Sequence, residues 1–128
     1  MGQNLGWTIA VFRAALPSCI IGDGQGSMIK LSVMYPNGDG ATFDMDYYCN
    51  SHMALVRQFL GSALKGIAVD QGIAQPGSPA PFLAIGHLIF DSVLDLQSAL
   101  DVHGPKLMAD IPNYTNTRPT IQVSEVKM

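Results

Sequence analysis

The sequence predicts an α+β fold: a plait in the order strand, helix, strand, strand, helix, strand. Three observations point to it. Four short runs, at residues 28–35, 64–70, 82–90 and 119–127, have the apolar or alternating character of strands. Two longer segments, over residues 42–60 and from residue 92 onward, repeat apolar side chains at helical spacing. The length of 128 residues suits one domain. This order is the ferredoxin-like βαββαβ plait, an antiparallel sheet carrying both helices on one face.

The elements follow in turn. Met28 to Tyr35 is apolar at both parities and runs into the turn Pro36-Asn37-Gly38, so both faces of this strand are expected to be covered. The first helix is expected over residues 42–60. Thr42 is its expected N-cap, and Asp44 and Asp46 lie in a first turn where the helix dipole favours carboxylates. Met45, Tyr48, His52, Leu55, Val56 and Phe59 form its apolar stripe, and Gly61 is the expected C-cap. A short strand follows over residues 64–70, then a Gly/Pro-rich loop over 71–81. Residues 82–90 are the strongest strand, and Gly86 within it predicts the close approach of a neighbour. Ser92 and Asp95 have capping-box spacing for a second helix with Val93, Leu96, Leu100, His103 and Leu107 on one face. Gly104-Pro105 is expected to break or kink that helix. The final strand alternates Ile121 and Val123 with Gln122 and Ser124.

Charge sharpens the picture. Strongly charged side chains make up 13% of the chain, against roughly 25% in an average soluble domain. A plait leaves one sheet face bare, and here that face is expected to be apolar. Packing two such sheets face to face in a homodimer would cover it and account for the low charge. The net charge is −3 and the seven Lys and Arg are scattered, so nucleic acid is not an expected partner. Cys19 and Cys49 make neither a disulfide framework nor a zinc quartet. The longest charge-free run contains Pro76, Pro79 and Pro81 and is not a membrane-spanning helix.

Residues 1–27 read as an N-terminal extension or linker, and the domain is expected over residues 28–128. The apolar stretch from Leu5 to Ile21 is interrupted by Arg13 and has no basic start, so it does not fit a secretory signal. The run Gly22 to Ser27 is a flexible-linker composition.

The candidate chemistry lies in three histidines set in apolar surroundings. His52 interrupts the first helix's stripe one turn after Tyr48; His87 shares a strand face with Ile85 and Ile89; His103 closes the second helix's stripe. A buried imidazole needs partners for its nitrogens. His52 is either a core histidine satisfied by a carbonyl or a tyrosine, or a general acid/base in an apolar pocket. Tyr48 and Tyr35 are its natural companions. His103 is either a second pocket residue or a partner of the helix dipole. No two histidines have ligand spacing on one helix, so no metal site is expected. Asp44 and Asp46, at i and i+2, point apart on a helix and suit the dipole better than paired catalysis. Cys49 has no base beside it in sequence.

Several segments resemble the EthD family: Met28 to Pro36, Phe43-Asp44-Met45-Asp46-Tyr47-Tyr48 with His52-Met53-Ala54-Leu55-Val56, Asp110-Ile111-Pro112-Asn113-Tyr114-Thr115, and Ile121 to Val126. The resemblance covers about residues 28–127, and the segment from Phe43 to Val56 is its most specific part. Ala54 stands where many members carry proline. The resemblance implies a dimeric α/β-barrel of ferredoxin-like protomers. The family takes its name from a gene cluster for ethyl tert-butyl ether degradation, and similar proteins include a methylmuconolactone isomerase and fungal polyketide dehydratases or decarboxylases. In the isomerase-like relatives the first helix's histidine lines the pocket and handles protons, which implies that role for His52. Tyr35, Tyr48, His87 and His103 are then the expected substrate-binding residues. The isomerase's reactive cysteine has no counterpart, since Cys49 is on another element.

The expected protein is a cytoplasmic homodimer with a pocket for a small hydrophobic or aromatic molecule, without cofactor and without membrane attachment. Two readings compete. One is an enzyme that isomerises, dehydrates or cyclises a small aromatic or lactone-like metabolite, with His52 as acid/base. The other is a non-catalytic carrier of a hydrophobic molecule beside an oxidative degradation system. A third, haem bound through histidine, follows only from analogy with other dimeric α/β-barrels.

Overall fold

Apolar alternation builds the sheet. The computed structural model describes residues 28–128, so the extension expected over residues 1–27 lies outside the described residues. Four strands form, β1 (Ile29–Pro36), β2 (Gly66–Gln71), β3 (Phe82–Phe90) and β4 (Thr120–Glu125), in the antiparallel order β2-β3-β1-β4. With the two intervening helical segments this is the ferredoxin-like plait. Register assigns the faces. Leu31 pairs with Leu88 and Val123, and Val33 with Gly86 and Ile121, all on the face that the helices cover. Lys30, Ser32 and Met34 oppose Ile89, His87 and Ile85 on the other. That outer face is mixed rather than wholly apolar, because Ser32, His87, Asp70 and Gln122 share it with Met34, Ile85 and Ile89.

The first helical segment departs from its expected form in three ways. Its N-cap is Asp44, not Thr42: the Asp44 carboxylate accepts from the Tyr47 amide at 3.0 Å. Thr42 is occupied elsewhere, its amide donating to Asn116 Oδ1 and its carbonyl accepting from Thr115 Oγ1. Helix α1 (Met45–Tyr47) then passes through a π-helical turn (Tyr48–His52) into α2 (Met53–Leu60). A π turn adds one residue and so advances everything after it by roughly 100°. The buried residues are accordingly Tyr48 and His52, then Met53, Val56 and Leu60. Beyond the turn Val56 of the expected stripe is buried, Met53 and Leu60 join it, and Leu55 and Phe59 lie half-buried on its flank. A 3-10 turn (Gly61–Ala63) extends the segment, so β2 starts two residues later than expected. Gly61, at φ 52° and ψ −130°, is the C-cap, a conformation that disfavours any side chain.

Helix α3 (Val93–Ala109) begins at Ser92, whose hydroxyl accepts from the Asp95 amide at 3.1 Å. It does not break at Gly104-Pro105 but continues to Ala109. Helical backbone before proline is disfavoured partly by the preceding Cβ, and Gly104 has none. Val93, Leu96 and Leu107 anchor the helix in the core. Full burial of such a side chain stabilises by roughly 1.5–3 kcal/mol.

Gly86 is the point where helix and sheet come closest. A Cβ there would collide with the Tyr48 hydroxyl and lie 3.4 Å from Met53 Cε. Gly86→Ala is therefore expected to destabilise by about 1–3 kcal/mol. Removing the hydroxyl in Gly86→Ala/Tyr48→Phe should restore part of the loss. Urea denaturation of the two single variants and the double variant measures this, and simple additivity would contradict the contact.

Candidate functional site

Two segments far apart in sequence are zipped together beside the sheet. Phe43 bridges Thr115, and the Asp44 amide donates to the Tyr114 carbonyl at 2.7 Å. This sets the start of α1 against the end of α3 and the 3-10 turn after it (Ile111–Asn113). Three donors from these segments converge on Asp110, a carboxylate in a residue only 8% exposed. His52 Nδ1 lies 2.9 Å from Oδ2, and the Tyr47 hydroxyl and Asn113 Nδ2 donate to Oδ1 at 2.7 and 2.8 Å.

These contacts decide the ionisation states. Burial opposes the charge on Asp110, but the hydrogen bonds from Asn113, His52 and Tyr47 outweigh it and hold the carboxyl below its usual range. Burial lowers the His52 pKa, and Asp110 reverses this only in part. His52 is therefore neutral at pH 7. An ionised carboxylate can only accept, so the imidazole proton sits on Nδ1 and Nε2 carries the lone pair. No described residue hydrogen-bonds Nε2.

His52 opens on an apolar cavity of about 80 Å³ between helices and sheet, with Leu31, Val56, Leu107 and Ile121 among its walls. Tyr35, Tyr48 and Tyr114 also line it. The His52 ring stacks on Tyr48 at 5.4 Å between centroids and lies 4.8 Å from Tyr114. The Tyr35 and Tyr114 hydroxyls are 2.7 Å apart. Burial raises the pKa of all three phenols, so they face the cavity as protonated, neutral hydroxyls.

The structure thus brings His52, Tyr48 and Tyr35 to one cavity. It places His87 on the opposite sheet face, where Nε2 meets Asp70 at 2.8 Å and Nδ1 meets Ser32 Oγ at 3.4 Å. His103 lies outside the cavity lining, its ring stacked flat on Phe59 at 5.4 Å. Cys49 is exposed. The three histidines therefore do not converge, and among the described residues no three His, Cys, Asp or Glu side chains are grouped to hold a metal ion. Sequence reasoning missed Asp110, Tyr114, Tyr47 and Asn113. The signal was present in Asp110-Ile111-Pro112-Asn113-Tyr114, where an acid, an amide and an aromatic crowd one short turn.

Comparison with known proteins agrees with this architecture. The EthD domain model matches residues 40–118, a span that contains His52, Asp110 and Tyr114. The chain belongs to the EthD family. An EthD-like protein from Ralstonia eutropha JMP134 is 42% identical over 80% of this chain and 94% of its own, with a TM-score of 0.76. An EthD family protein from Bacillus halodurans C-125 shares the fold at 20% identity over 78% of this chain and 99% of its own, with a TM-score of 0.57. A search of curated proteins finds no match.

The EthD-family site yields a pH prediction. A histidine whose folded pKa lies below its unfolded value, about 6.5, binds fewer protons when folded. Stability should therefore fall as pH drops below about 6.5 and through the lower folded value, and Asp110 should add a further loss below its own unfolded value near 3.8. NMR titration should find the His52 imidazole below 6.5, and lower again in Asp110→Asn, because the carboxylate is what raises it. An unchanged or higher value in that variant would contradict the pairing.

Proposed function

We propose that this EthD-family protein is a proton-transfer enzyme acting on a small apolar carbonyl compound. The observation that carries the proposal is the 2.9 Å His52–Asp110 contact at the wall of an apolar cavity. Asp110 fixes the tautomer, leaving Nε2 as the base. A base in such a cavity takes a proton from carbon next to a carbonyl. The electron pair then moves onto the carbonyl oxygen, where a neutral phenol can stabilise it. The Tyr35 hydroxyl meets those of Tyr114 and Tyr48, and three phenol protons shared over two such contacts leave one to donate. Return of the proton from His52 to a different carbon completes an isomerisation; its delivery to a β-hydroxyl, which leaves as water as the enolate pair forms the C=C bond, completes a dehydration. A small aromatic or lactone-like metabolite fits this chemistry.

The aliphatic walls also favour a carrier that binds a hydrophobic molecule and does no chemistry on it. One experiment separates the two. Cyclohexanone incubated with the protein in D₂O should exchange its α-hydrogens, and His52→Gln should slow the enzyme-dependent rate about 100-fold or more. Binding without any exchange above buffer would favour the carrier.

The half-buried Met34, Ile85 and Ile89 on the outer face support a homodimer packed sheet to sheet. Light scattering should give twice 13.7 kDa, and a stable monomer would contradict it. No helix among the described residues is long and apolar enough to cross a membrane; the composition fits a cytoplasmic setting.

A further inference from the structure

The two carboxylate oxygens of Asp110 face different partners. Oδ2 meets Nδ1 of His52, which lines the cavity, at 2.9 Å. Oδ1 accepts from the Tyr47 hydroxyl at 2.7 Å and from Asn113 Nδ2 at 2.8 Å. Tyr47 is half-buried and Asn113 exposed, and neither lines the cavity. Both therefore reach the carboxylate from the solvent side.

Each donor is itself held. The Tyr47 amide donates to the Asp44 cap at 3.0 Å, and its ring stacks on Tyr114 with 6.1 Å between centroids. Its hydroxyl stays protonated, because ionising it would break the bond to Asp110 and set two negative charges together. Asn113 stands in the 3-10 turn, three residues after Asp110. The π turn completes the geometry. Tyr47 and His52 are five residues apart in sequence, which on a regular α-helix would leave them about 140° apart around the axis. A π turn is hydrogen-bonded from i to i+5, as the Met53 amide is to the Tyr48 carbonyl, and it winds less per residue. It lets Tyr47 and His52 reach the two oxygens of one carboxylate.

A carboxylate can turn about its Cβ–Cγ bond. Two donors on Oδ1 stop that rotation and aim Oδ2 at Nδ1. They also draw charge toward Oδ1, so Oδ2 attracts the imidazole proton less strongly. We infer that Tyr47 and Asn113 are positioning residues of the His52 base, acting through Asp110: they fix Oδ2 on Nδ1 and temper its pull, which leaves Nε2 able to take up and release a proton. This role serves the proposed proton transfer and rests on that reading, but it is measured without turnover.

Among the described residues, the titratable groups around His52 are Asp110, Tyr48 in its own turn, Tyr114 after α3 and Tyr35 on β1, with Asp101 of α3 also in the cavity wall. The test leaves Tyr35, Tyr48, Tyr114 and Asp101 in place. His52 is titrated by NMR in the wild type, Tyr47→Phe, Asp110→Asn and the double variant. Tyr47→Phe leaves the carboxylate with one donor fewer, so the His52 pKa should rise, and Asn113→Ala should move it the same way. With Asp110→Asn already in place no charge remains to temper, and Tyr47→Phe should have little effect. An equal rise in both backgrounds would mean that the substitution only loosens packing, and it overturns the inference. So does Tyr47→Phe without a rise. If Asp110→Asn does not fold, 3-fluorotyrosine at position 47 decides. Its more acidic hydroxyl is a stronger donor and should lower the His52 pKa, a sign that loosened packing cannot produce; no change or a rise overturns the inference. Coupling of this kind without α-exchange of cyclohexanone would uphold the positioning role and remove the proton-transfer reading. Exchange without the coupling would do the reverse.

Discussion

A nearly buried carboxylate must have donors, and in this chain Asp110 organises its surroundings by that need. An ionised group removed from water costs several kcal/mol unless hydrogen bonds replace the lost hydration. Asp110 finds them from Tyr47 and His52 on the first helical segment and from Asn113 three residues on. Its link to His52 spans 58 residues of sequence. The bridge between Phe43 and Thr115 and the hydrogen bond from the Asp44 amide to the Tyr114 carbonyl hold the same two segments in register. Loss of one donor would leave a charge partly unmet. The turn after α3 and the start of α1 are therefore coupled as one structural unit.

The π turn is the second constraint. A regular helix would have put either His52 or Met53 toward the sheet. The extra residue in the turn lets both go inward, with Tyr48 stacked on His52 and Met53 beside Gly86. This explains which part of the site could be read in the sequence. Apolar spacing located the helix and picked out Tyr48 and His52, because they are one turn apart and four residues bring them to the same side in an α or a π turn. The same spacing misplaced Leu55 and Phe59, because periodicity at 100° per residue cannot register an inserted residue.

The strands were legible for a simpler reason. Their alternation and turns are local, so Phe82–Phe90 was located to the residue, and Gly86 announced a close neighbour, which the structure shows to be Tyr48. Alternation does not say which face a helix covers. His87 could thus be grouped with His52 on paper, while the register sets it against Ser32 on the far side of the sheet. Asp110 and Tyr114 escaped for a related reason. Their significance depends on contacts with the first helix across half the chain, and nothing in a short turn reveals its distant neighbours. The proline in α3 misled in the other direction: Pro105 is a breaker by its own chemistry, but Gly104 before it removes one of the clashes that make it so.

The basicity of His52 then has its physical origin in burial. Removing water from around His52 keeps its imidazole neutral at pH 7, which is what makes Nε2 able to accept a proton. A lysine in the wall would set a positive charge beside His52, depress the imidazole pKa further and weaken the base. A carboxylate hydrogen-bonded to Nε2 would raise the pKa and turn the base into a resting cation. Asp110 avoids this because its charge is divided among three donors and reaches His52 through Nδ1, away from the ligand side. Its effect there is orientation with only a partial rise in pKa, so Nε2 keeps its lone pair toward the cavity.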